Sequence, residues 1–421
     1  MPQLFFPGGI QMKVVVITEA LTRAAGIVSR AVASRTTLPV LTNILLEARE
    51  PELALKATNL DVGVALTIPA RVEEPGAGTV PARVFVDFIA ALNGETVEME
   101  WNESTATLGV RCGSFRSRIK GIPATEFPTW PARDEKETVI TFSAASTLAA
   151  ALNQVSIAVA KEESRPVLTG VCAVIAPAGV TFAAADGFRL AVKRVPATIQ
   201  PAPTEPRRII LPAAAVRLLP TICGDSGLVE MRVHAEADRI ALLVPGAEIV
   251  ARLIGGNYPQ FEQIIPSAAT SRVVAARDDL RGALKAGKPF AAKNRVDLTA
   301  RAETGIVVIS ACAPEEGNSS SEVSVSLEGP SFQIALSDVY LADFLGALTT
   351  PQVALEGTGP TQPVVLRGVG DGDFVGVIMP MHGEPHPPSP ATTPPTAPPV
   401  RAPVTVTAAP VPAPTPELQP A

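Results

Sequence analysis

If this chain performed covalent chemistry, only a few side chains could carry it. The stretch "CGDSG" (223–227) sets a serine in a turn, where a nucleophile would need a histidine base and a carboxylate beside it. No such constellation is discernible, and the stretch joins a helix pattern to a strand pattern, so it reads as a turn. The three histidines are His234, in a strand-like run, and His382 and His386, near the chain's proline-rich end. They form no ligand set with one another or with the cysteines. Cys112, Cys172, Cys223 and Cys312 lie far apart with no CxxC, which favours reduced, buried thiols over a disulfide or zinc framework. "GVGDGDFVG" (368–376) runs directly into a strand, so its glycines mark a hairpin and not a phosphate cradle. The carboxylates are scattered. No catalytic residue, metal site or cofactor is expected.

What remains is recognition. Two aromatic–Pro–x–aromatic stretches stand out in a chain with 4% aromatics: "EFPTWP" (126–131) and "NYPQFEQIIP" (257–266). A helix-period segment near residue 280 carries Arg277, Arg281, Lys285 and Lys288 within roughly 80° of one another, at about 100° per residue. Leu280, Ala283, Leu284 and Gly287 occupy the adjoining face. Arg23 and Arg30 are seven apart and share a face in the same way. One such helix reads as a solvated surface. Repeated around a concave side of a protein with net charge −6, such helices would hold duplex phosphates without reading bases, with a strong dependence on salt.

The elements that position these groups recur. A chain of 421 residues exceeds one core, and 47% apolar residues supply several. "RTTLPVLTNILLEA" (35–48) lines up with "SRPVLTGVCAVIA" (164–176), Pro39 and Pro166 standing 127 apart. "TNLDVGVAL" (58–66) matches "AADGFRLAV" (184–192) with Asp61 against Asp186, and Pro81 precedes Pro212 by 131, as Pro128 precedes Pro259. A fainter third copy includes "LADFLGAL" (341–348) and "VGVIMPM" (375–381). Each unit opens with a helix-period stretch (18–34, 143–161, 276–293), followed by alternating strands, a second helix after Pro81, Pro212 or Ser337, and closing strands. This is an α+β chain of three tandem repeats, each two helices packed on antiparallel sheet. The expected divisions are an N-terminal extension (1–11), units at 12–133, 134–262 and 263–383, and a Pro-rich tail (384–421) unable to pack a core. No apolar run reaches the ~18 residues that would span a bilayer, and the start lacks the basic region of a secretion signal.

Over about residues 12–383 the chain resembles the bacterial sliding clamp, the beta subunit of DNA polymerase III. The stretches that carry the resemblance are "RTTLPVLTNILLEA", "TVPARVF", "ADGFRLAV", "LIGGNYPQFEQIIP" and "VIMPM". It implies three similar domains, two subunits joined head to tail in a six-domain ring around duplex DNA, and a cytoplasmic, non-catalytic processivity role served by a clamp loader. It also implies a pocket for linear peptides of polymerases and loader subunits. By position this comprises Arg165, Leu168, Gly187, Phe188, Arg189, Leu190, Pro259, Gln263, Ile264, Pro363, Val377, Met379, Pro380 and Met381. The resemblance adds Arg35 to the DNA-contacting set, and places Ser117 and Ile119 on one side of the subunit joint with Pro289 and Phe290 on the other.

Several positions depart from the family pattern. Phe188 stands for the usual histidine, Gln263 and His382 for usual basic residues, Ala185 for a hydroxyl residue and Ser117 for an aromatic. The pocket is therefore expected to be more apolar and less basic. The sequence "QLFF" (3–6) resembles the linear motif such pockets bind, while "MKVVVITEAL" from Met12 offers an alternative translation start. The rival reading is an adaptor or specialised clamp copy that binds replication or repair peptides without encircling DNA.

Overall fold

The computed structural model describes residues 10–131, 137–162, 164–223, 227–234 and 238–381. The "QLFF" segment, the Pro-rich tail, His382, His386 and the centre of "CGDSG" lie outside them.

Among the described residues six α-helices occur in three pairs: α1 (Thr18–Val28) with α2 (Ala82–Ala90), α3 (Ala145–Ser156) with α4 (Ala213–Ile222), and α5 (Arg277–Gly287) with α6 (Asp338–Ala347). The first helix of each pair is shorter than its apolar period suggests. After Val28 the chain tightens into a 3-10 turn at Ser29–Ala31, so Arg30 sits beyond the α-helix that carries Arg23. Pro81 and Pro212 occupy the N-cap positions of α2 and α4, where a missing N–H costs nothing. At α6, Ser337 caps with its hydroxyl accepting from the Tyr340 N–H at 3.4 Å.

The strands are antiparallel and alternate buried with half-buried residues, as at Glu52–Thr58 and Val229–His234. They join into two long hydrogen-bonded paths that cross the boundaries between units. Strand Ala247–Arg252 of the second unit pairs with Val62–Glu74 of the first, with Val250 opposite Gly63. Strand Asp371–Ile378 of the third pairs with Arg189–Val195 of the second, with Val377 opposite Leu190. The same edge is used at both boundaries.

The repeat is truer in space than in letters. Asn59 Oδ1 accepts from the N–H groups of Asp61 and Val62, and Asp186 Oδ1 accepts from those of Phe188 and Arg189. The structural counterpart of Asp186 is therefore Asn59, not Asp61. An Asx turn needs an acceptor oxygen, which Asn and Asp supply equally, so the identity match at Asp61 misaligned the two units by two residues.

A third use of that edge stays open. The strand Phe115–Lys120 ends one path, and along 317–324 the strand Gly317–Glu328 has a neighbour on one side only, among the described residues. Gly121 N–H bonds Ala106 O at 2.8 Å. By antiparallel alternation Phe115, Ser117 and Ile119 turn their main-chain groups toward their own sheet, while Arg116, Arg118 and Lys120 turn theirs outward. The bond from Val325 N–H to Gly305 O likewise leaves Asn318, Ser320 and Glu322 facing outward. These positions correspond to strands that are paired at the two internal boundaries.

Candidate peptide pocket and basic helix faces

The segment after strand Ala247–Arg252 runs between the second and third units. Tyr258 and Phe261 are buried in an apolar cluster that includes Leu168, Ala185, Leu190 and Val192 of the second unit and Val365, Val375 and Val377 of the third. The Tyr258 hydroxyl accepts from the Ala185 N–H at 2.9 Å, and burial pushes its pKa well above the usual tyrosine range. This answers why the aromatic–Pro pattern exists: Tyr258 and Phe261 pin an extended connector onto the floor between two units. Replacing Tyr258 by Phe leaves the buried Ala185 N–H without its acceptor. Equilibrium denaturation should register a loss of about 1–2 kcal/mol, with little change in circular dichroism.

Above that floor three large apolar side chains face solvent: Phe188 (64% exposed), Ile264 (40%) and Met379 (40%). Phe188 and Met379 are held close by main-chain geometry. Gly187 takes φ +93°, which carries the loop round to Phe188, and Phe188 O accepts from Met379 N–H at 2.9 Å. Leu168, Leu190 and Val377 are buried beneath, Pro363, Pro380 and Met381 are half-buried, and Pro259, Gln263, Gly187 and Arg165 are exposed around them. Such a surface accepts apolar anchors, with adaptable Met and rigid Phe at its mouth.

Arg189 does something the sequence did not reveal. Its side chain is only 6% exposed, and it bonds Asp186 at 3.0 Å and Asp343 of α6 at 2.6 Å. Its guanidinium lies 4.3 Å from the Tyr340 ring centroid. Expected as a ligand contact, it is instead committed to a bridge between the loop carrying Phe188 and the neighbouring unit. Arg208 is similarly engaged, with Glu262 at 2.7 Å and the Phe261 ring at 5.5 Å. These two cations are already neutralised, whereas Arg165 at the rim is exposed.

The cysteines divide. Cys112 and Cys172 are buried, Cys223 is half-buried and Cys312 is exposed, so the expectation of four buried thiols fails at Cys312, which sits on an outward-facing strand position. Burial raises Cys172 and Cys223 to about 11, leaving both as neutral thiols at physiological pH.

On the helices, Arg23, Arg281, Lys285 and Lys288 are exposed, as are Arg30 and Arg35 in the segment after α1. Arg281 lies 3.8 Å from Asp278. Arg277 is half-buried and donates to Leu348 O at 2.7 Å, so it ties α5 to the end of α6 and is a poor phosphate ligand. The pattern read from helical periodicity missed this because a neighbouring helix end is invisible to it. Arg217 on α4 is a further exposed cation that the sequence reading passed over. At the chain's two open edges Ser117 is half-buried and Ile119 buried within their own sheet, whereas Pro289 is exposed and Phe290 half-buried after α5.

The three units match, in order, the N-terminal (residues 12–131), central (144–260) and C-terminal (262–382) domains of the DNA polymerase III beta subunit. The beta sliding clamp of Synechococcus elongatus is 31% identical over 376 residues, covering 88% of this chain and 99% of that one. That of Staphylococcus aureus is 28% identical over 371 residues, covering 84% and 94%. Among solved structures, a Pseudomonas aeruginosa sliding clamp bound to griselimycin superposes with a TM-score of 0.81 at 26% identity, covering 89% of this chain and all of that one. A Bacillus subtilis clamp of 24% identity shares the fold with a TM-score of 0.82. The chain belongs to the bacterial beta sliding clamp family, the beta subunit of DNA polymerase III.

Proposed function

We propose that this protein is the DNA sliding clamp of a DNA polymerase III: a non-catalytic, cytoplasmic ring of two subunits that encircles duplex DNA and tethers the polymerase. The observation that carries the reading is the pair of open strand edges. The second unit's edge is covered by the third and the first unit's by the second. The first unit's Arg116–Lys120 edge and the third unit's Asn318–Glu322 edge then complete the series if a second copy supplies each to the other. Joining head to tail twice closes a ring and leaves no open edge. The basic outer edge (Arg116, Arg118, Lys120) facing one that carries Glu322 favours this order of joining. Ser117, Ile119, Pro289 and Phe290 flank the joint in this arrangement.

In the ring, Arg23, Arg30, Arg35, Arg281, Lys285 and Lys288 serve as phosphate contacts. The surface of Phe188, Ile264 and Met379 receives apolar anchors of polymerase and loader peptides. The griselimycin complex of the Pseudomonas aeruginosa relative supports a ligand site in this fold. Because Arg189 and Arg208 are already ion-paired, peptide affinity should depend on apolar residues more than on acidic ones.

Retention on a nicked circular plasmid after loader-driven loading, with release when the plasmid is linearised, tests the function. Release at the same rate from both forms would defeat encirclement and favour an adaptor. The same preparation checks the helix faces. Arg281→Glu with Lys285→Glu should weaken binding to linear duplex about tenfold or more and flatten its dependence on salt by roughly two counterions.

A further inference from the structure

The boundary between the first and second units carries a cleft of its own. It occupies about 310 Å³ and is lined by Leu60, Asp61, Gly63, Trp130, Arg239 and Arg252, among others. It lies where the repeat places the peptide pocket of the next boundary. Leu60 takes the place of Gly187, Gly63 that of Leu190, Trp130 that of Phe261, and Val250 opposes Gly63 as Val377 opposes Leu190.

Its construction differs in two respects. Where Phe261 is wholly buried, Trp130 is half-buried and keeps part of its ring at the surface. Gly63 has no side chain, and a Cβ there would come within 2.8 Å of the indole, so the ring rests directly on the bare strand. The indole N–H donates to Glu248 at 3.0 Å, and Lys56 sits 5.8 Å from the ring centroid. This fixes an aromatic wall beside Leu60, which is 58% exposed.

The second difference is charge. Arg239 and Arg252 are direct cross-strand partners, both exposed. Like charges directly opposed across strands repel, and neither side chain has an ion-pair partner among the described residues. Two of the three cations at the neighbouring boundary, Arg189 and Arg208, are each matched by carboxylates, which leaves Arg165 there as a single exposed cation. Among the described lining residues the one acid is Asp61, so the two arginines outweigh it.

We infer that this cleft is a second peptide-binding site, selective for an extended segment that carries an apolar side chain beside carboxylates. The apolar residue packs between Trp130 and Leu60, and the acids bridge the Arg239–Arg252 pair. The two boundaries then divide partners by charge: neutral, apolar segments at Phe188 and Met379, acidic ones at Trp130.

Trp130 is a built-in reporter, since the chain has two tryptophans and Trp101 is wholly buried. The probe is the capped peptide acetyl-Glu-Leu-Phe-Asp-amide, with its Gln/Asn counterpart as control, titrated against the full chain. The expected result is a saturable change in tryptophan emission for the acidic peptide, weakened about tenfold for the amide control or for the Arg239→Gln, Arg252→Gln double variant. The response should weaken with added salt and be unaffected by Met379→Asp, which blocks the other site. Binding lost in Met379→Asp but intact in the arginine double variant would overturn the inference, as would no saturable response up to about 5 mM peptide. Neither result bears on ring closure or DNA retention, so the proposed function stands or falls separately.

Discussion

Replacing Arg189 by methionine should cost the protein about 2–3 kcal/mol and loosen the proposed peptide pocket at the same time. The side chain is almost wholly buried, and it satisfies Asp186 in one unit and Asp343 in the next while stacking on Tyr340. Removing one member of a buried ionic network leaves the others without compensation, a loss of about 3–5 kcal/mol when all partners are enclosed. Asp343 is 41% exposed and recovers water, which brings the figure down. Methionine keeps most of the apolar stem volume, so lost charge and not a cavity is the cause. Hydrogen exchange locates the effect: protection should fall at residues 186–190 and along α6 but not in the first unit. A denaturation shift under about 0.5 kcal/mol, or loss of protection spread evenly over the chain, would contradict the bridging role. Asp343→Asn is the milder companion, expected to cost about 1 kcal/mol because the amide still accepts a hydrogen bond.

The second large effect falls on assembly. Arg118→Pro should leave each subunit folded and convert the proposed two-subunit ring to monomers. The Arg118 N–H faces the open side of its strand, a position where proline is tolerated because no bond within the sheet is broken. Across a subunit joint the same change removes a main-chain donor and pushes a ring into the incoming strand, leaving a buried acceptor unsatisfied at about 1–3 kcal/mol per joint. That corresponds to roughly ten- to a hundredfold at each of the two joints. Analytical ultracentrifugation at micromolar concentration should show a dimer for the parent chain and a monomer for the variant, with unchanged thermal unfolding of the subunit. Ser117→Pro is the control. Its N–H bonds within the sheet, so this variant should destabilise the subunit itself. If Arg118→Pro stayed dimeric, the joint would not run through this edge.

Much of the architecture was written in local pattern. Alternation along Glu52–Thr58 and Val229–His234, the prolines before α2 and α4, and the hairpin at Gly368–Asp371 follow from near-neighbour sterics and period-two burial. The aromatic–Pro spacing announced two related connectors. It did not distinguish them, because whether an aromatic ring sinks or stands depends on the residue opposite. Leu190 lies in the same buried cluster as Phe261, whereas Gly63 lets Trp130 lie on the strand face. Matching identical letters set Asp61 against Asp186, while hydrogen bonding sets Asn59 there. Helical periodicity grouped Arg277 with Arg281 and Lys285, and only the end of α6 showed that Arg277 is occupied.

The sequence by itself determined that the chain is a threefold α+β repeat and that its aromatic–Pro connectors recur. Helix and strand periods are set by residues within a few positions of one another, and the repeat shows as their recurrence along the chain. Only the tertiary structure decided which charges are spent and which are available. Arg189 finds Asp343 across a unit boundary 154 residues away, and Arg239 meets Arg252 across a hairpin with no ion-pair partner for either among the described residues. Coulomb energy depends on distance in space and on exclusion of water, and neither is a function of position along the chain.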